Sequence, residues 1–279
     1  MGLIDDLAGR IRKPVRMVFL ENNANLNQAI ERAESLGIVV PIRSDSMENA
    51  AGILKGKMAD AIVAGADMTS YDVIMGLKEY VGVKDRTFSS TFIFEFPDGY
   101  TLTLADAAVC KDPDAKRLSD VVVHAYDIHK QVLSTEPRVA MLSFSTFGSG
   151  GEDKSIEKIK DTIEIVRRGY PDVIIDGEMQ LDAALSPDIG SKKAQGSQVA
   201  GRANVLITPD LNSGNLLYKS IELFSGAKAY GPLLSGFRCV ASDLSRGSSV
   251  EDIYGTIVIT AVRAYYAQNA GAQGGAVAG

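Results

Sequence analysis

Ala59-Asp60-Ala61-Ile62-Val63-Ala64-Gly65-Ala66 is a short apolar run that closes in small residues. Two similar runs precede it, Arg16-Met17-Val18-Phe19-Leu20 and Gly37-Ile38-Val39-Val40-Pro41-Ile42. Residues 26–36 and 46–57 between them carry helical patterning. Short apolar strands alternating with helices predict a parallel sheet covered by helices on both faces. Ligands bind such sheets beyond the carboxyl ends of the strands, where residues 65–70 fall. A tight strand-to-helix turn asks for the same small residues, so Gly65-Ala66 alone carries little functional weight.

The pattern changes further along. Residues 88–96 and 100–108 read as an antiparallel pair joined at the turn Pro97-Asp98-Gly99. That change marks a domain boundary. A helix over 115–134, a strand over 139–144, a helix over 156–169 and strands over 173–176 and 205–208 then build a second α/β layer. Residues 185–196 are polar, with Lys192 and Lys193, and read as a solvated loop or a mobile lid. The expected division is a discontinuous domain I of residues 1–88 and 234–268 around an inserted domain II of residues 89–233. Residues 269–279 hold only Gly, Ala, Gln, Val and Asn and are expected to be a disordered tail.

Chemistry concentrates in Asp243-Leu244-Ser245-Arg246-Gly247-Ser248-Ser249-Val250-Glu251-Asp252-Ile253. Ser248 and Glu251 have the spacing of a capping box. Ile253, Ile257, Ala261 and Ala264 then recur at helical spacing, which predicts a helix over 249–267. Ser245, Arg246 and Gly247 precede its N-terminus. Unpaired N–H groups, the helix dipole and a guanidinium there suit a phosphate, a carboxylate or a developing oxyanion. Asp252, one turn in, is placed to act as a base. An ordinary capped helix beside a solvated arginine is the other reading.

The 279 residues, 46% of them hydrophobic, suffice for two modest α/β domains. A net charge of −6 argues against nucleic-acid and acidic-membrane partners. No apolar run approaches the roughly 20 residues that span a bilayer. The N-terminus lacks the basic-then-apolar plan of a secretory signal. Cys110 and Cys239 have no metal-ligand spacing and read as reduced thiols of a cytoplasmic protein that binds no metal. His124 and His129, five apart in a helical stretch, are more often structural or solvated than catalytic and are assigned no role.

Several collinear motifs carry a resemblance. The signature stretch is preceded by Phe94-Glu95-Phe96-Pro97-Asp98-Gly99, Met141-Leu142-Ser143-Phe144-Ser145-Thr146 and Asp176-Gly177-Glu178-Met179-Gln180-Leu181-Asp182-Ala183-Ala184. Val199-Ala200-Gly201-Arg202-Ala203-Asn204-Val205-Leu206-Ile207, Pro209-Asp210-Leu211-Asn212-Ser213-Gly214-Asn215 and Gly231-Pro232-Leu233-Leu234-Ser235-Gly236 follow. Together they resemble the phosphotransacetylases, the phosphate acetyl- and butyryltransferases, over most of residues 58–267. The resemblance implies a two-domain, three-layer α/β/α fold, isopropylmalate-dehydrogenase-like, with the ligand cleft between domains. It implies acyl-CoA and phosphate as small-molecule substrates, coenzyme A as the cofactor-like substrate, and a homodimer formed largely by domain II.

Matched residues take the family's roles as expectations. Asp252 deprotonates the CoA thiol, and Ser245 and Arg246 stabilise developing charge. Gly247, Ser248, Pro232 and Gly236, with Ser245, are expected to contact coenzyme A. Thr69, Ser70 and Ser143, with Arg246, are expected to contact phosphate. Three departures bear on activity. Met75 stands where the family carries a phosphate-gripping arginine. A segment that longer members hold before the Gly65-Ala66 strand, with another active-site arginine, is absent, and Arg43 and Lys78 are candidates to compensate. Phe147 replaces a common lysine. The alternative implied by these departures is a CoA- or ligand-binding homologue without turnover, like the short homologues regarded as methanogenesis marker proteins.

Overall fold

The computed structural model describes residues 2–274, with side chains through residue 269. Two compact units are present, Met1–Lys84 with Tyr230–Gly279 and Asp85–Ala229.

The first unit opens with α1 (Leu3–Arg10), β1 (Val15–Phe19), α2 (Ala24–Ser35), β2 (Val39–Arg43), α3 (Met47–Lys55), β3 (Ala61–Ala64) and α4 (Ser70–Gly76). A π-helical turn over Leu77–Val81 continues from α4. All four residues of β3 are buried, as expected for a strand covered on both faces. Side chains of Asn23, Ser46 and Thr69 cap α2, α3 and α4, each accepting an N–H of the first turn.

The second unit comprises β4 (Ser89–Glu95), β5 (Thr101–Ala105), α5 (Ala115–Leu133), β6 (Arg138–Leu142), α6 (Lys154–Gly169), β7 (Ile174–Met179), α7 (Leu181–Leu185), α8 (Pro187–Lys193), β8 (Val205–Ile207) and α9 (Leu211–Phe224). Its strands run in the order β4-β5-β8-β6-β7. The β4–β5 hairpin is antiparallel and the other pairs are parallel. Alternate residues of each strand enter different cores. Val139, Met141, Val205 and Ile207 pack with α5 and α6 residues such as Val122 and Ile163. Ala140, Leu142 and Leu206 pack with Ala183, Tyr218 and their neighbours from α7 and α9. Helices therefore cover both faces of this sheet.

The chain returns to the first unit through β9 (Lys228–Ser235), β10 (Val240–Asp243) and α10 (Val250–Gly274). The strand order is β2-β1-β3-β10-β9, with β2, β1, β3 and β10 parallel and β9 antiparallel. Arg263 of α10 is buried and donates to the carbonyls of Ala241 (3.0 Å) and Leu234 (2.7 Å). It ties the helix to both strands. The Arg32 guanidinium lies 3.9 Å from the Tyr254 ring centroid and pairs with Glu251 at 2.7 Å, which joins α2 to α10.

One sequence expectation needs correction. The polar segment 185–196 contains α8, because Ser186 caps it and Pro187 occupies its first turn, where a missing N–H costs nothing. Helix α10 extends to Gly274. Residues 275–279 lie outside the described residues.

Candidate active site

The signature stretch leaves the carboxyl end of β10 and turns at Ser245–Ser248, where the Ser248 N–H donates to the Ser245 carbonyl (2.9 Å). The cap of α10 sits one residue later than its spacing predicts. Ser249 Oγ accepts the Asp252 N–H at 3.2 Å, while Asp252 Oδ2 accepts the Ser249 N–H at 3.2 Å and the Ser249 hydroxyl at 2.6 Å. The capping box is thus Ser249–Asp252 rather than Ser248–Glu251. Glu251 is free for this shift because Arg32 engages it. Only packing against α2 distinguishes the two registers. Asp252 is accordingly oriented by its own helix start, and Oδ1 makes no hydrogen bond among the described residues.

Ser245, Arg246 and Ser248 line one cavity of about 200 Å³ with Asn23, Ala24, Asn25, Ala66 and Ile253. Asn23 caps α2, and Asn25 Nδ2 donates to the Ser248 carbonyl at 3.3 Å. The N-terminus of α2 and the start of α10 therefore bound the same space. Arg246 is exposed and makes no hydrogen bond or ion pair among the described residues. Two positive helix ends and an unengaged guanidinium create potential for an anion. Asn23 and Asn25 were not singled out in the sequence, whereas Ala66 lies in the strand end expected to meet a ligand. The run Asn22-Asn23-Ala24-Asn25 before a helix is a capping signal, but nothing local says what faces it.

Two carboxylates lie at the ends of β1 and β10, the strands on either side of β3. Glu21 Oε1 accepts the Gly65 N–H at 2.6 Å, and its Oε2 is buried without a partner. Both Asp243 oxygens are also buried and unpartnered. Burial, with the Glu21 charge added, pushes the Asp243 carboxyl up to about 7. The Ser70 hydroxyl and the Leu244 N–H favour the charged form but fall short of hydrogen-bond geometry. Gly65 has φ +97°, and a Cβ there would lie 2.0 Å from Asp243 Oδ1. That glycine is required both by its left-handed backbone and by the close approach.

The other expected residues divide. Thr69 caps α4 and hydrogen-bonds Asp72, and Ser70 begins that helix beside Asp243. Pro232 and Gly236 are buried and do not line the cavity. The Gly236 carbonyl accepts the Lys84 N–H at 2.8 Å. Gly247 is exposed beside Arg246. Met75 is 36% exposed in the last turn of α4. Arg43 is committed to the Glu21 carbonyl (2.8 Å) and Asn27 (2.6 Å). In the second unit, Ser143 follows β6, and its hydroxyl accepts the Ser145 N–H at 3.2 Å. Glu178 organises that loop by accepting the Ser145 hydroxyl and the Gly148 N–H. His129 bridges Thr103 and Thr135, and burial lowers it to about 4, so it is neutral. His124 bridges Ser89 and Asp85. These are structural bonds.

A cavity at the carboxyl ends of parallel strands, lined by an unengaged arginine and the first turns of two helices, defines an α/β protein with a site suited to an anion. Comparison with known proteins narrows the class. The family model described as Phosphate acetyl/butaryl transferase matches residues 22–261. A phosphate acetyltransferase of Clostridium acetobutylicum is 38% identical over 255 residues, 88% of this chain and 74% of that protein. One from Acetivibrio thermocellus is 35% identical over 94% of this chain and 84% of its own. The crystal structure of a phosphotransacetylase from Streptococcus pyogenes superposes with a TM-score of 0.85 at 29% identity, covering 95% of this chain and 98% of that one. The chain belongs to the phosphate acetyl/butyryl transferase family.

Proposed function

We propose that the protein is a phosphate acyltransferase that interconverts acyl-CoA and phosphate with acyl phosphate and free coenzyme A. The observation that carries this reading is the unengaged Arg246 at a cavity bounded by the N-termini of α2 and α10. In the direction of acyl-CoA synthesis, Asp252 accepts the thiol proton. A free thiol has a pKa of roughly 8.5, so a positioned carboxylate has a modest task. The sulfur attacks the acyl carbonyl, the C–S bond forms, and the bond to the phosphate oxygen breaks. Arg246, Ser245 and the helix N-termini stabilise the oxyanion and the departing phosphate. Gly247 and Ser248 contact coenzyme A in this reading, and Thr69, Ser70 and Ser143 assist phosphate.

The acyl group is a short chain, acetyl or a near homologue. Screening acyl-CoAs for phosphate-dependent release of free thiol tests the proposal. No turnover with any donor from acetyl to butyryl, by a protein that still binds coenzyme A, would favour the ligand-binding alternative. The absence of the family arginine at Met75 is the observation on that side.

The working form is a cytoplasmic homodimer. Leu216, Leu223 and Phe224 stand 69, 75 and 81% exposed along one side of α9, a stripe suited to a second copy. Among the described residues, no helix is long and apolar enough to cross a membrane.

A further inference from the structure

We propose that Asp243 holds a proton in the folded protein, and that through it Asp243 is a positioning residue that holds Ser245 and Arg246 in their anion-binding arrangement. This rests on the acyltransferase reading for its consequence in turnover, but not for the proton itself.

Three buried acceptors, Glu21 Oε2 and both oxygens of Asp243, have no donor. The two side chains flank a single glycine. Glu21 takes the Gly65 N–H, and Asp243 Oδ1 lies where a side chain at Gly65 would begin. The Ser70 hydroxyl at the start of α4 and the Leu244 N–H, which is bonded to the Ala64 carbonyl at 2.7 Å, also act on Asp243. Among the described residues, the charge that acts on Asp243 is that of Glu21, from the end of β1. A buried carboxylate without a donor and beside a second acidic side chain ionises only at a cost, and a proton on Asp243 supplies the missing donor. Asp243 is separated from Ser245 by Leu244 alone. Losing the proton would place a second negative charge under the loop that must accept phosphate.

The sign follows from linkage. Asp243 is raised from its ordinary 3.8 to about 7 in the fold. The folded state thus holds the proton more tightly, so stability is full below about 4, falls as pH rises towards 7, and stays reduced above it. Asp243→Asn, permanently neutral, removes that loss. Thermal unfolding of both proteins from pH 4.5 to 9 should show the variant gaining on wild type as pH rises, by roughly 5 °C or more at the alkaline end. Phosphate KM, or phosphate binding by calorimetry if no donor is turned over, should rise in wild type between pH 6.5 and 8.5. In Asp243→Asn that rise should be smaller by about five-fold, the scale of one nearby charge in a partly polar site.

Glu21→Gln provides the second test, since removing the neighbouring charge should move the wild-type transition to lower pH. The proposal is overturned if Tm of wild type and Asp243→Asn run parallel across this range. It is equally overturned if the phosphate profiles superimpose, or, should Asp243→Asn not fold, if Glu21→Gln leaves the transition in place. Absent turnover with an intact differential Tm would sink the acyltransferase reading and leave the proton on Asp243 standing.

Discussion

Asp252 holds two positions at once, first-turn cap and proposed base, and variants can separate them. Asp252→Asn should lower kcat by roughly 100-fold, the scale of a lost general base. Ser249→Ala removes the cap, should cost about 1 kcal/mol of stability, and leaves the carboxylate in place. Its kcat should fall far less than that of Asp252→Asn, and steady-state kinetics beside thermal unfolding reads both. Arg246→Ala should lower kcat by roughly 100-fold and raise phosphate KM, because the helix N-termini alone must hold the charge. Met75→Arg addresses the most conspicuous departure from the family. A restored charge-assisted contact contributes on the order of 1.5–3 kcal/mol, so phosphate KM should fall about ten-fold. Unchanged phosphate kinetics with acetyl-, propionyl- and butyryl-CoA would show that α4 does not present position 75 to phosphate.

At the scale of elements, α10 brings the signature residues to the carboxyl ends of β3 and β10, and Arg263 anchors it. Burial lowers this guanidinium to about 10, so it remains charged at neutral pH. Its bonds to Ala241 and Leu234 satisfy carbonyls at the β9–β10 side of the sheet. Arg263→Met preserves much of the volume but leaves both carbonyls unpaired, at about 1–3 kcal/mol each, offset in part by relief of a buried charge. A net loss of about 2 kcal/mol is expected, visible as a lower urea midpoint. Gly65→Ala strikes the same region harder. Its Cβ would lie 2.0 Å from Asp243 Oδ1 at a φ of +97°. Backbone strain and the displaced carboxylate should cost on the order of 3 kcal/mol or more, measured as lost soluble, folded protein.

For the whole molecule, the exposed stripe on α9 decides the proposed assembly. Leu216→Glu with Leu223→Glu should convert a dimer to a monomer in analytical ultracentrifugation, because charge on an apolar interface leaves it desolvated and unpaired. These positions are already solvent-facing in the single chain, so the monomer should stay folded. A double variant that remains dimeric would move the interface elsewhere.

Strand-helix alternation over residues 16–66 and the hairpin turn at Pro97-Asp98-Gly99 were legible because periodicity and turn chemistry are local properties. The family was legible because its motifs are collinear along the chain. Ser245, Arg246 and Asp252 could be named from spacing as candidates for the site. The cap register of α10 could not, since Ser248–Glu251 and Ser249–Asp252 both fit a local rule and the choice falls to Arg32, distant in sequence. Nor could the second wall of the cavity, supplied by Asn23 and Asn25, more than two hundred residues before Arg246. Glu21 and Asp243 meet at Gly65 only because β1 and β10 both pair with β3 as parallel strands. Sequence by itself determined the elements and the chemical types present. Tertiary structure decided which of them share a buried space, because desolvation and charge coupling act through distance, not chain order.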